Sequence, residues 1–323
     1  ILVIFSHSFR ISRNTMDPLD SFTDGQISFG GVAVALFLFA SGFYVTKGLF
    51  KRKKGVLYFK NRFARIYPAF VAVIIATAFI IGPLISKYSF KEYFGRKDTY
   101  LYLLYILMIP RYILPGVFEK NPYPGVVNGS LWTIPLEVIC YIGLYIVYVC
   151  KFLNKKVLKI LNPLLLIGIC VIFGFRVTGI YKYHLYLRPL LIFFMGIQYY
   201  IFRDEIKLDR KKALEILVVA FGLFLLHWGD IAAIYCFPYL FSMLMFSEKQ
   251  VSEKIASLGN YSYAIYLVAF PIQQIFVSCF GRMDPFTNTL YASICSILFG
   301  IGIYHWIEIP FAKLILQVGD NKN

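Results

Sequence analysis

Three ionisable side chains stand inside strongly apolar stretches and are the first candidates for chemistry. His7 lies in ILVIFSHSF, Glu137 in SLWTIPLEVICY and Glu308 in YHWIEIPF. A charge at the centre of a bilayer costs about 2.5–3.5 kcal/mol on insertion scales, so such groups are functional candidates. An imidazole titrates near pH ~6.5 and can take a proton from a hydroxyl and return it. His7 is therefore a candidate general base.

Each of these groups also has a structural explanation. His7 fits an interfacial histidine bonded to a neighbouring helix. Glu137 stands near the start of its span, where a carboxylate complements the helix dipole. Glu308 follows His305 by about one turn on the same helix face, which is equally compatible with a structural ion pair.

Two further motifs suggest binding. FKNRFARIYP at 59–68 places Arg62 and Arg65 three residues apart on one face, just before an apolar span, and paired guanidiniums suit phosphate. Basic residues also collect on cytoplasmic loops for topological reasons alone. FLFASGF at 37–43 places Ser41 and Gly42 in a bulky span, which allows close approach of another helix or of a ligand.

The elements that position these residues are bilayer helices. The chain is 59% hydrophobic and only 15% charged, which excludes an ordinary soluble domain. Its net charge of +16 resides in loops between apolar runs, so it does not indicate nucleic-acid binding. The pattern predicts an all-α integral membrane protein of about ten spans, with one domain over 1–323. The predicted spans are 1–9 (partial), 27–46, 68–86, 131–150, 158–175, 185–202, 213–228, 231–247, 260–280 and 290–316.

The basic residues give the orientation. The connection after the second span carries Lys and Arg and no acid, as expected for a cytoplasmic loop. Later basic connections fall on the same side only if the apolar stretch 99–118 does not cross. Pro110, Arg111 and Pro115 break that stretch, so it is predicted to be a re-entrant or interfacial helix. Both termini are then cytoplasmic.

In this order the motifs resemble the membrane-bound acyltransferase 3 family, the bacterial O-acyltransferases of surface glycans. The resemblance rests on ILVIFSHSF, FLFASGF, FKNRFARIYP, SLWTIPLEVICY, LGNYSYAIYLVAFP (258–271) and YHWIEIPF. These motifs add Trp132, Tyr141 and Tyr266 as candidates. Two departures stand out: the basic residue that the family carries before its first-span histidine would lie upstream of Ile1, and Ala269 replaces a histidine found in many members.

The resemblance implies O-acyl transfer at the bacterial cytoplasmic membrane, with no permanently bound cofactor. Acetyl-CoA or another acyl-CoA would be the donor, and a glycan or lipid-linked sugar outside the cytoplasm the acceptor. Arg62 and Arg65 would bind the donor phosphates, and Ser41 and Gly42 would line a channel for the pantetheine arm. His7 would act as general base or accept the acyl group itself, Glu137 would orient it, and Glu308 would be a partner of the arginines or structural. No metal is required, because a thioester is already an activated donor.

Two other classes of protein fit the composition. A secondary transporter or flippase would use the intramembrane Glu and His as a proton relay, but it predicts repeated halves that the sequence lacks. A multi-span glycosyltransferase or polymerase predicts a large outer loop with its own catalytic acid. The stretch 87–129 is partly apolar and carries few acids.

Overall fold

The computed structural model describes residues 1–52, 55–246 and 259–317. Across these residues the chain forms helices and an isolated bridge between Ile113 and Val126, with no β-strand. The all-α fold class is therefore confirmed for the described ranges. The longer helices, named α1 to α10, are Leu2–Arg13, Phe29–Arg52, Gly55–Ile85, Gly129–Val149, Lys155–Gly174, His184–Ile201, Arg210–Leu225, Gly229–Met245, Ser262–Phe280 and Pro285–Gln317.

Among the described residues, six of these helices are long and apolar enough to cross a membrane, namely α2, α3, α4, α5, α9 and α10. Such lengths match the ~30 Å hydrocarbon core of a bilayer. The chain is therefore a membrane protein, as predicted. Each of the ten longer helices overlaps a predicted span, whereas the crossing of all ten and the cytoplasmic position of both termini stay predictions.

The start of α3 corrects the sequence analysis. The third span was predicted to begin at Pro68, after a loop holding Arg62 and Arg65, but the helix already begins at Gly55. A proline inside a soluble helix costs about 3 kcal/mol, which made Pro68 look like a helix start. Helices in membranes tolerate proline because neighbouring groups satisfy the freed carbonyl. Both arginines therefore lie on a helix rather than in a loop.

The connection between α3 and α4 is built from short pieces. A capping box at Ser89 and Glu92 begins the helix Phe90–Gly95, and a 3₁₀ helix covers Tyr102–Leu107. Irregular backbone follows, as predicted for the broken stretch 99–118; whether this stretch enters the membrane stays a prediction. Lys87 donates to Glu119 at 2.5 Å, a hydrogen bond that raises the pKa of the Lys87 ammonium.

The described residues divide into two compact units. Unit 1 comprises 1–17, 56–135 and the described part of 251–323. In unit 1, α1 packs on α9 and α10. Ala269 lies in the core with Ile4 and Ala292, all three almost fully buried. That small side chain lets α1 approach α9 closely, which gives a packing reason for the departure noted at this position.

Unit 2 comprises the described residues of 18–55 and 136–250, with the larger part of α4. Its most extensive helix contact joins α2 to α6. The two helices meet at Gly42 and Gly196, where an added Cβ would overlap the carbonyl of Phe193 or of Phe39. The apolar core around Phe39 extends to α5 and α8. The prediction of one functional domain over 1–323 stays a prediction.

Candidate active site

His7 lies in the middle of α1, in unit 1. Its ring meets the ring of Phe270 on α9 edge to face, with centroids 5.2 Å apart. The Nδ1 atom is shielded from solvent and makes no hydrogen bond to any residue that the structure describes. A buried polar atom without a partner costs about 1–3 kcal/mol, so its retention calls for an explanation such as catalysis.

Asp17 is a site residue that the sequence analysis missed. Its side chain is 2% exposed and accepts a hydrogen bond of 2.5 Å from the hydroxyl of Ser6. This hydrogen bond holds the Asp17 carboxylate against α1, one residue before His7. An acid in MDPLD directly after the first span was the available signal, but sequence alone does not show that this segment turns back onto α1.

The adjacent residue, Ser8, belongs to a separate network that fixes α1. The Gln273 side chain on α9 donates to the Ile4 carbonyl at 2.8 Å, to Ser8 Oγ at 2.7 Å and to Asn288 Oδ1 at 3.1 Å. Ser8 donates in turn to Asn288 at 3.0 Å and to the Ile4 carbonyl at 2.9 Å. These groups fix the rotation and depth of α1 against α9 and α10, and so they fix the place of His7.

Glu137 forms a second constellation, in unit 2. Its side chain is 3% exposed, and one carboxylate oxygen accepts a short hydrogen bond from the Tyr141 hydroxyl one turn later on α4. The same hydroxyl lies 3.2 Å from Ser41 Oγ on α2. The structure thus brings together three predicted site residues as a carboxylate, a phenol and an alcohol in series. Such a series can orient a proton donor or carry a proton.

Gly42 has a packing role next to that series. Because the backbone of α6 lies against it, helix packing accounts for this glycine, which was the second explanation left open by the sequence. Its predicted place in a pantetheine channel stays a prediction.

Arg65 and Glu308 form an ion pair within unit 1. Arg65 Nη1 lies 2.9 Å from Glu308 Oε2; the arginine side chain is 40% exposed and the glutamate 4%. Glu308 ends a π-turn in α10, just before Pro310. Its Oε1 has no hydrogen-bond partner among the described residues. Arg62, one turn before Arg65, is half-buried.

Tyr266 and Trp132 lie where α4 begins. The Tyr266 hydroxyl on α9 bonds to the Ser130 carbonyl at 2.5 Å and lies 2.8 Å from Thr133 Oγ1. Trp132 closes the 3₁₀ turn that starts α4, and its side chain is half-buried. These contacts give Tyr266 a structural task at the start of the helix that carries Glu137.

His7 belongs to unit 1 and Glu137 to unit 2. The predicted contact of Glu137 with His7 therefore stays a prediction. Within unit 1 the structure bonds Asp17 to Ser6, the residue before His7, and pairs Glu308 with Arg65. Within unit 2, hydrogen bonds connect Glu137 to Tyr141 and Tyr141 to Ser41.

Comparison with known proteins gives a consistent picture. A family model described as an acyltransferase domain matches residues 1–305. The chain is also similar to a protein named O-acetyl transferase from Shigella phage Sf6, at 26% identity over 286 residues, which cover 86% of this chain and 83% of that protein. No solved structure matches. The family match includes His7, Asp17 and Glu137 and ends before Glu308.

Proposed function

The chain belongs to the acyltransferase domain family, and from this premise we propose that it moves an acetyl group from acetyl-CoA to a sugar hydroxyl outside the cytoplasm. O-acyl transfer is the chemistry supported by the family and by the phage O-acetyl transferase. The donor, the acceptor and the direction across the bacterial cytoplasmic membrane are the proposed parts.

One observation carries the proposal. His7 has a shielded ring nitrogen with no described hydrogen-bond partner, and the buried Asp17 carboxylate is bonded to the adjacent residue, Ser6. A general base needs a lone pair that no other protein group occupies, and a group that stabilises its protonated form. Asp17 supplies that stabilisation through its negative charge. The Ser6 hydroxyl, at 2.5 Å, keeps the carboxylate in place.

The proposed step is direct. The acceptor hydroxyl gives its proton to His7 while its oxygen attacks the thioester carbonyl of acetyl-CoA. A C–O bond forms, the C–S bond breaks, and the proton passes from the imidazolium to the leaving thiolate. A positioned base is worth about 10²–10⁴ in rate.

A covalent route uses the same residue. His7 would attack the thioester carbonyl, so that a C–N bond forms, the C–S bond breaks and the CoA thiolate leaves. The sugar oxygen would then attack the acetyl carbon, the C–N bond would break, and the hydroxyl proton would pass to the freed ring nitrogen. In this route the ring could pass the acetyl group from a donor on one side to an acceptor on the other. Asp17 would stabilise the acylated, positively charged ring.

For the donor, we propose that the phosphates of acetyl-CoA contact Arg62 and Arg65. One guanidinium nitrogen of Arg65 bonds to Glu308, and the Arg65 side chain is 40% exposed. The exposed part of the guanidinium is accessible to a phosphate, which supports this role. Glu308 would hold the guanidinium in position between turnovers. Ser41, which shares a hydrogen bond with Tyr141, would contact the polar pantetheine arm.

For Glu137, the proposal keeps the role predicted from the sequence, which is to orient His7 and stabilise its imidazolium. The hydrogen bond from Tyr141 supports a fixed carboxylate at this place. The partnership of Asp17 with His7 stands independently of it.

Sealed membrane vesicles of known orientation test the function. Acetyl-CoA labelled in the acetyl group does not cross a bilayer, so it reaches only the face to which it is added. We expect label in the envelope glycan when the donor is added to the cytoplasmic face of vesicles carrying the full-length protein. We expect none when it is added to the outer face, and none with His7→Ala at matched expression.

Label that depends on the protein but enters from the outer face would overturn the proposed direction. Protein-dependent label with His7→Ala equal to the unmodified protein would overturn the role of His7. Absence of protein-dependent label with any of a short series of acyl-CoA donors would overturn acyl transfer from CoA.

A further inference from the structure

A polar cavity of about 360 Å³ lies in unit 2, next to the ends of three helical segments. Small-molecule sites usually measure about 300–1,000 Å³. No residue that we place in donor binding or proton transfer lines this cavity. Its lining residues follow the helix Pro18–Phe22, the last turn of α5 and the end of α7, and they are Asp24, Gly174, Arg176, Leu226, His227 and Trp228.

Three lining residues have a left-handed backbone although none is glycine. The φ angle is 56° at Asp24, 49° at Arg176 and 57° at His227. Each is the second residue after a helix, where the next amide bonds back into the helix's last turn. These backbone bonds are Gly25 N to Asp20 O at 2.8 Å, Val177 N to Ile172 O at 3.1 Å and Trp228 N to Leu223 O at 2.8 Å.

Glycine is the usual residue at this helix-end position, because a Cβ is disfavoured in the left-handed region. Asparagine and aspartate are the common alternatives, so Asp24 is tolerated. Arg176 and His227 have neither the small size nor the local hydrogen bonding that eases this backbone. Strained residues that collect at one place indicate a function for their side chains. Here all three surround one cavity.

Hydrogen bonds hold two of these helix ends together. Arg176 Nη2 donates to the His227 carbonyl at 3.2 Å. The Gln26 side chain donates to the Phe224 carbonyl at 2.9 Å, lies 3.4 Å from His227 Nδ1 and accepts from the Gly229 amide at 2.8 Å. The wall of the cavity is therefore preorganised, which lowers the entropy cost of binding a ligand.

The lining chemistry matches a sugar ring. Sugar hydroxyls both donate and accept, so they need an acceptor such as Asp24 together with donors such as Arg176 and His227. The C–H face of a sugar is apolar and fits the flat indole of Trp228. A phosphate group offers acceptors only, and the carboxylate of Asp24 would repel it. The cavity therefore favours a neutral saccharide over a lipid phosphate.

We propose that this cavity binds one sugar unit of the acceptor glycan. The inference rests on the proposed function for the identity of the glycan. Asp24, Arg176 and His227 lie at the ends of the predicted spans opposite the basic connections, which is the side where a surface glycan would arrive. The site positions the acceptor and is separate in sequence and in unit from His7.

Glycine substitutions separate binding from folding. His227→Gly removes the side chain and relieves the backbone, so its melting temperature should stay equal or rise. Arg176→Gly gives the same relief but loses the bond to the His227 carbonyl, so its melting temperature should change little. Lys151→Gly is the matched control: Lys151 has φ 60°, also follows a helix by two residues and lies away from the cavity. The probe is the mixture of oligosaccharides released by mild acid from the envelope of the source organism, titrated against the purified full-length protein.

We expect both cavity variants to bind the oligosaccharides at least about tenfold more weakly than the unmodified protein. The Lys151→Gly control should bind them normally. Equal binding in all four proteins, or no binding in any, would overturn the proposal. Glycerol phosphate, titrated in parallel, separates a headgroup site: variant-dependent binding of this anion in place of the oligosaccharides would also overturn it.

The transfer assay then distinguishes the two proposals. The cavity variants should raise the KM for the acceptor and leave the KM for acetyl-CoA unchanged. If the protein binds oligosaccharides through the cavity but transfers no acetyl group, the proposed function fails and the site stands. If transfer proceeds with normal acceptor KM in both variants, the site fails and the function stands.

Discussion

His7 and the next residue on α1, Ser8, differ in the hydrogen bonds that their polar groups make. Ser8 is fully buried and joins Gln273 and Asn288 in a network of short hydrogen bonds. The Nδ1 atom of His7 is shielded from solvent and has no described hydrogen-bond partner, and the Asp17 carboxylate contributes a negative charge to its surroundings. On one short helix the Ser8 hydroxyl is hydrogen-bonded to its neighbours, whereas Nδ1 of the adjacent His7 has no described hydrogen-bond partner.

The difference distinguishes side chains that fix how the helices pack from a side chain that is available for the reaction. Polar groups that satisfy one another specify how helices dock, and they leave no lone pair for a substrate. A buried nitrogen left without a partner costs stability and is kept where a substrate or a reaction uses it. The same contrast predicts that variants in the two regions affect different quantities.

The largest expected effect is on catalysis at His7. His7→Gln should lower the rate of acetyl transfer by about 10²–10⁴, because glutamine cannot take up a proton. Thermal unfolding in detergent should change little, since the ring nitrogen makes no described hydrogen bond. His305→Gln is the matched control: it changes an exposed histidine of the same unit, in the π-turn of α10, and should leave the rate unchanged.

Asp17→Asn should give the next largest effect. Asparagine keeps an oxygen for the Ser6 hydroxyl but removes the charge that favours the imidazolium. We expect the rate of transfer to fall at least about tenfold, the factor that corresponds to about 1.4 kcal/mol. The acetyl-CoA KM should be unchanged. A pH–rate profile of each enzyme gives the second readout: loss of the carboxylate should shift the acidic limb to lower pH, because a nearby negative charge favours the protonated base.

The ion pair in unit 1 should affect donor binding. Arg65→Gln is expected to raise the KM for acetyl-CoA several-fold, because a charge pair at a partly exposed arginine is worth up to about 1 kcal/mol. It also leaves the buried Glu308 without its cation, which costs stability. The double variant with Glu308→Gln should recover the lost stability but not the KM. Recovery of both would contradict donor binding by Arg65 and leave the pair structural.

The smallest effect on catalysis is expected in the hydrogen-bond network of Ser8, Gln273 and Asn288. Gln273→Ala removes three hydrogen bonds and should lower the free energy of unfolding by about 1–3 kcal/mol. Activity per folded molecule should fall less than in Asp17→Asn, because the Ser8–Asn288 hydrogen bond still holds α1. Unchanged stability with a large loss of activity would show that this network takes part in the reaction, and the contrast between the two regions would disappear.

Local patterns predicted much of the fold. Apolar runs located all ten longer helices, and the proline-broken stretch 99–118 is irregular as expected. The start of α3 was missed because Pro68 resembles a helix start when only the sequence is considered. The π-turn that carries Glu308 was also not foreseen, since hydrophobic periodicity does not reveal one extra residue in a turn.

The site was predictable in its residue types but not in its pairings. His7, Glu137 and Glu308 stand out because charge is costly among apolar residues, and Arg65 stands out through its spacing from Arg62. The partnership of Arg65 with Glu308 joins positions far apart in the sequence, and no local pattern encodes such contacts. Asp17 looked like an ordinary loop acid, and its burial beside α1 depends on how the chain turns after the first helix.

The central claim is that Asp17 acts through His7, and a double-variant cycle tests it most directly. Acetyl transfer is measured for the unmodified enzyme, His7→Gln, Asp17→Asn and the double variant, each per folded molecule. If Asp17 works only through the imidazole, the double variant will be no slower than His7→Gln alone. If the two losses of rate multiply in full, Asp17 acts independently of His7, and the proposal that it acts through the imidazole is wrong.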